Sequence, residues 1–177
     1  MIFLDTCIWI ELLGVHSPQE SHEIRQAQAA SNLLETVLEE SEQIITCREQ
    51  LLEIIKAIQK VTLRTVNRER KQKGLPGVSN LKHFRQLDEF DKIKDLCKSV
   101  IKDVKHFAII KEIADYNLDA ILDRLNIADI NDCIYLDYCL ENNIKIYTFD
   151  SDLRKIGKSK NLYIFLSDSN KWVQESS

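Results

Sequence analysis

Five acidic residues of this 177-residue chain stand where chemistry, not solubility, would place them: Asp5, Glu53, Asp132, Asp150 and Asp152. Asp5 closes the apolar run Ile2-Phe3-Leu4. Asp150 closes the run that begins at Ile144, and Asp152 lies two residues on. Asp132 opens the segment before that run, and Glu53 follows the apolar pair Ile44-Ile45. Carboxylates brought together repel one another, and each costs solvation energy to bury. A divalent cation removes that cost, and hard oxygen ligands favour Mg²⁺ or Mn²⁺ over zinc. Two such ions about 3.5–4 Å apart activate a water and stabilise the leaving oxygen in phosphodiester cleavage.

Each acid also has an ordinary reading. Asp5 could simply end a strand. Asp132 could be a helix N-cap, a role that Asp often fills. Asp150 and Asp152 could be turn or cap residues, and Glu53 a solvated helix residue. It is their joint placement at strand ends and helix starts that points to a site.

The elements that must position them follow from the apolar pattern. Ile2-Phe3-Leu4 reads as a strand buried on both faces, and Ile44-Ile45-Thr46 as a second. Ile144 to Phe149 is the clearest strand, and Leu162 to Leu166 is another. A helix is expected from about Ser21 to Glu40, with Ala27, Ala30, Leu34, Val37 and Leu38 at helical spacing. A long one should follow from about Arg48 to Lys73, with Leu51, Leu52, Ile55, Ile58 and Val61 on its apolar side. Gly74-Leu75-Pro76-Gly77 stops it.

Two or three further helices fill Leu81 to Asn126, the clearest with Leu118, Ile121, Leu122 and Leu125 on one side. Short helices are expected from about Asp132 to Glu141, ended by Asn142-Asn143, and over Leu153 to Ile156. If the helical middle holds a fifth strand, no run in the sequence marks it. Strands separated by helices imply an α/β fold, a parallel β-sheet flanked by helices. In open sheets of this kind, sites form beyond the carboxyl ends of the strands.

The bulk composition narrows the setting. Hydrophobic residues make up 44% and charged residues 29%, proportions of a globular chain rather than a disordered one. No stretch is apolar for long enough to span a membrane. Met1 to Gly14 is interrupted by Asp5 and Glu11 and lacks a basic lead, so it does not read as a signal peptide. Five cysteines, at 7, 47, 97, 133 and 139, show no C-x-x-C spacing. Reduced thiols in a cytoplasm are the expectation. The net charge of −4 gives no overall attraction to nucleic acid, so a nucleic-acid enzyme would need metal ions or a local basic patch.

Two segments carry a resemblance. Met1-Ile-Phe-Leu-Asp5-Thr6-Cys7 resembles the N-terminal signature of PIN domains: an apolar strand, Asp, then Thr or Ser. The stretch from Asn131-Asp132 to Thr148-Phe149-Asp150-Ser151-Asp152 resembles their C-terminal signature, in which an Asp begins a helix and the next strand ends in Thr-x-Asp. The family's middle acid is a Glu in the helix after the second strand. Glu53 in Leu-Leu-Glu-Ile-Ile fits best, with Glu49 as the fallback.

The resemblance implies one PIN-like domain over 1–177, with a helical insertion at about 64–125. It implies an acidic pocket of Asp5, Glu53, Asp132 and Asp150 binding Mg²⁺ or Mn²⁺ through Asp5, Asp132, Asp150 and Asp152, with the hydroxyls of Thr6 and Thr148 in support. It further implies endoribonuclease activity on RNA. Many bacterial members are the toxin half of toxin–antitoxin pairs, so a cognate antitoxin protein is an expected class of partner, and a homo-oligomer is another. The alternative within the family is a catalytically inactive binding or scaffold module, but such members usually lack one or more of the acids.

Arg64, Arg68 and Lys71 share one helix face and could contact RNA phosphates, or could be a solvated basic helix end. His16, His22, His83 and His106 show no catalytic or metal spacing and read as surface residues. Cys7, Cys133 and Cys139 read as small core side chains. Trp9 is expected to pack in the helix after the first strand, and Trp172 to dock the tail. Two other acidic-pocket folds fit poorly. Haloacid-dehalogenase-type phosphatases need a second Asp where Cys7 stands. Phosphorelay receiver domains need a Lys at the end of the last strand, where none stands.

Overall fold

The computed structural model describes residues 1–15, 17–157 and 159–175; His16 lies outside them. Strand β1 (Ile2–Leu4) is buried along its whole length, with each side chain at most 1% exposed. Burying an aliphatic or aromatic side chain is worth about 1.5–3 kcal/mol, so this short run is a strong anchor. Asp5 ends it and caps helix α1 (Thr6–Leu12), on which Trp9 is buried. Helix α2 (Ser21–Glu39) starts where the Glu23 carboxylate accepts the backbone N–H groups of Gln19 and Glu20. Strand β2 (Ile44–Cys47) leads directly into α3 (Arg48–Gln72), which buries Leu51, Ile54 and Ile58. The buried face is set by those three, and Leu52, expected among them, is 60% exposed. The helix stops at Lys73, and Gly74 takes φ +68°, a conformation that a side chain would strain.

The middle of the chain holds three helices and the unmarked strand: α4 (Leu81–Phe84), α5 (Glu89–Phe107), β3 (Ala108–Lys111) and α6 (Leu118–Leu122). The helix expected around Leu118 is short. It buries Ile121 and exposes Leu118 and Leu122, and Leu125 beyond its end is exposed as well. Helix α7 (Ile130–Glu141) begins two residues earlier than expected because its N-cap is Asp129, whose carboxylate accepts the N–H groups of Asn131 and Asp132. Then follow β4 (Lys145–Thr148), α8 (Leu153–Ile156), β5 (Leu162–Leu166) and β6 (Lys171–Gln174). β6 was not expected. Trp172 on it packs against Phe149, Tyr147 and Phe165, so it does dock the tail.

These strands form one sheet in the order β3-β2-β1-β4-β5-β6. The first five are parallel, and β6 runs antiparallel to β5. Phe3 sits opposite Ile45 on one side and Ile146 on the other. The helices cover both faces. Ile2, Leu4, Trp9, Ile54 and Ile58 belong to one core layer, and Phe3, Ile45, Cys133, Leu136 and Ile146 to the other. From β1 the chain winds through β2 to β3 on one side, then crosses to β4 and β5 on the other. The switch point lies between β1 and β4, and a crevice is expected at the carboxyl ends of those two strands. Among the described residues no helix is long and apolar enough to cross a membrane.

Candidate active site

Asp5 and Asp150 stand at the carboxyl ends of the two strands that flank the switch point. Asp5 is 5% exposed. Its Oδ1 accepts the Thr6 N–H at 2.6 Å, and its Oδ2 accepts the Thr148 hydroxyl at 2.5 Å and the Cys7 thiol at 3.2 Å. Burial nevertheless pushes its carboxyl above the usual range, the three hydrogen bonds oppose that, and the Asp150 charge adds to it. Thr148, fully buried, also accepts the Asp150 N–H on the same hydroxyl oxygen at 2.8 Å. One hydroxyl thus ties the carboxyl ends of β1 and β4 together. Asp150 Oδ1 in turn accepts the Asp152 N–H at 2.7 Å.

The other wall comes from α3 and α7. Glu53 reaches across from α3, and its Oε2 accepts the Tyr135 hydroxyl at 2.9 Å and the Asn131 side-chain amide at 3.1 Å. Burial raises its carboxyl, and the Asp5 charge raises it further. Asp132 is the third residue of α7, after the cap formed by Asp129. Its carboxyl is pushed up to about 8, first by burial and then by the charges of Asp5, Asp129, Glu53 and Asp150. That set of perturbing charges shows the acids acting on one spot, although they come from four separate parts of the chain. Asp129, Asp132, Asp150 and Asp152 line one shallow cleft with Leu125 and Ile127. Asp152 is at its edge, half exposed and ion-paired with Lys155 at 2.6 Å.

Among the described residues, no three His, Cys, Asp or Glu side chains are preset to hold a metal ion. Both oxygens of Asp5 are engaged by protein donors, and Asp152 is turned to Lys155. The chemistry of the donor set nevertheless fits a hard divalent cation. It is rich in carboxylate oxygen, its members raise one another's proton affinity, and the Thr6 hydroxyl beside Asp5 is buried with no hydrogen-bond partner among the described residues.

Of the other expected residues, Glu49 is not among the charges that act on Asp132. Arg64 and Arg68 line a separate cleft with Glu20, Glu23, Val61 and Thr65, which shares no lining residue with the acidic one. Lys71 is exposed in the last turn of α3. His22, His83 and His106 are exposed. Cys133 and Cys139 are buried core residues, whereas Cys7 holds Asp5 and so belongs to the site. Asp129, Asn131 and Tyr135 were not singled out by the sequence. Asp129 precedes the helix as an N-cap does, and Asn131 and Tyr135 follow at helical spacing on the face that carries Glu53's partners.

A parallel sheet flanked by helices, with acids gathered at the carboxyl ends of β1 and β4, defines an α/β protein with an acidic centre at its switch point. Residues 2–159 match the PIN domain, and the chain belongs to the PIN-domain family. The fold is of nuclease type. A comparison with curated proteins found no match.

Proposed function

We propose that the protein is a metal-dependent endoribonuclease that hydrolyses RNA phosphodiester bonds at an acidic site of the two-metal type. The observation that carries this reading is the Asp132 carboxyl, pushed up to about 8 by burial and by four neighbouring acids. A cluster so unfavourable to its own ionisation suits a cation-binding centre. Asp5, Asp132 and Asp150, with Asp152 at the edge, would hold Mg²⁺ or Mn²⁺. When bound, such ions supply a water nucleophile at neutral pH and stabilise charge on the leaving oxygen.

The chain's own residues orient the ligands. Thr148 and Cys7 fix the Asp5 carboxylate, Tyr135 and Asn131 fix Glu53, and the Thr6 hydroxyl is available to a water at the site. The five free thiols suit a reducing cytoplasm. The family likeness adds a cognate antitoxin as a class of protein partner. An inactive scaffold would share the fold, but here Asp5, Glu53, Asp132 and Asp150 are all present.

The test is cleavage of a fluorescent RNA by purified protein in Mn²⁺ and in EDTA, with DNA of the same sequence beside it. RNA should be cut in Mn²⁺ only. Asp150→Asn should lower the rate at least about 100-fold, a fall within the range expected when electrostatic stabilisation of the transition state is lost. RNA left intact in Mn²⁺, or cut equally well by Asp150→Asn, would refute the reading.

A further inference from the structure

The acidic cleft has an apolar rim. Its lining includes Leu125 and Ile127, and a second shallow depression, formed with Ile130 and Asn131, shares Leu125, Ala128 and Asp129 with it. Leu125 is 42% exposed, Ile127 38% and Ile130 48%, so three aliphatic side chains face water beside four carboxylates. Scattered exposed aliphatics are ordinary, but a group at the mouth of a polar site marks a surface that something covers.

No lysine or arginine is among the described residues that line either depression. Nearby cations are already engaged. Arg124 makes a two-pronged ion pair with Asp137 and donates its Nε to the Ala120 carbonyl. Lys155 is held by Asp152. The Asn131 side-chain amide donates to Glu53.

We infer that Leu125, Ile127 and Ile130 form a subsite for unpaired nucleobases next to the scissile phosphate. The inference rests on the nuclease reading above and adds the part of the substrate that the rim meets. A phosphodiester placed at Asp132 and Asp150 must carry its two nucleosides across the cleft's edges. On the Leu125–Ile130 side, those edges offer apolar contact and no free cation. The phosphates and ribose hydroxyls of a nucleic acid are polar, and its only large apolar surfaces are the faces of its bases. Those faces are covered by stacking in a duplex and open in a single strand. The rim therefore selects strands whose bases are already unstacked at the cleaved bond, and it does so without reading hydrogen-bonding edges. Discrimination among the four bases should be slight at this subsite.

The experiment is a double-substitution cycle on kcat/KM. The first axis is Ile127→Ala, repeated with Leu125→Ala and Ile130→Ala. The second is a fluorescein-labelled single-stranded RNA against the same RNA carrying one abasic nucleotide beside the mapped cleavage bond. All three side chains are exposed, and thermal melts confirm that the variants fold. On intact RNA at least one variant should lose roughly five- to tenfold, as expected for apolar contact with one base. On the abasic RNA the same variant should match wild type. The salt dependence should keep its slope, because no phosphate contact is removed. Equal losses on both RNAs, no loss on either, or a flattened salt slope would overturn the subsite. If wild type cuts neither RNA nor DNA, the nuclease reading falls and the subsite with it. If wild type cuts RNA but the cycle shows no coupling, the subsite alone falls.

Discussion

Asp132 carries the electrostatic burden of the site. Its carboxyl is pushed up to about 8, whereas an unfolded Asp ionises near about 3.9. With the folded value raised, the folded chain binds more protons than the unfolded chain between those two pH values. The contribution to stability is therefore fully present below about pH 4 and is lost as pH rises through about 8. Asp5 and Glu53 are shifted in the same direction and act likewise. Glu42 opposes them. Its ion pairs with Lys145 and the N-terminus hold its carboxyl low, so its contribution is lost as pH falls.

In EDTA, Asp132→Asn should be more stable than wild type by about 1–3 kcal/mol at pH 8, with the gap closing as pH falls toward 5. Urea melts at both pH values measure this, and a gap that does not change with pH would contradict it. At this scale the sequence was half legible. Asp5 and Asp150 announce themselves because a polar residue ending an apolar run is visible in one dimension. Cys7, Asn131 and Tyr135 do not, because holding a neighbour's carboxylate leaves no periodic mark.

Among the elements, strands with a buried face could be read and the strand without one could not. β3 pairs along β2, yet Ile109 and Ile110 are 45% and 41% exposed, while their partners Ile45 and Thr46 are fully buried. The helical layers stop at β2, so no alternation marks β3. The long α3 was legible throughout and raises a question of reach. Arg64 lies eleven residues beyond Glu53, roughly 16 Å along the axis, and shares its cleft with Glu20 and Glu23.

We keep the proposal that Arg64, Arg68 and Lys71 contact flanking RNA phosphates, and it has a clear signature. Replacing all three with Ala should weaken binding to every RNA alike and flatten the salt dependence by roughly 0.7 log units per lost contact. Unchanged affinity and slope would leave these residues as a basic helix end. The contrast with Ile127→Ala, which should not alter the salt slope, separates the two surfaces.

For the whole molecule, the fold and the charge distribution pull in opposite directions. Two apolar layers clamp the sheet, and the sheet order gathers repelling carboxylates at its switch point. The net charge of −4 adds no compensation. A divalent ion bound at that point would relieve the repulsion and so stabilise the folded chain, by an amount that grows with its concentration over its Kd. The most direct test is the melting temperature at pH 7.5 in EDTA and in millimolar Mn²⁺, for wild type and for Asp150→Asn. Wild type should melt several degrees higher in Mn²⁺, about 4 °C for each 1 kcal/mol of binding at this chain length. Asp150→Asn should gain little. An equal Mn²⁺-induced rise in both proteins, or none in wild type, would contradict a metal centre built on these carboxylates.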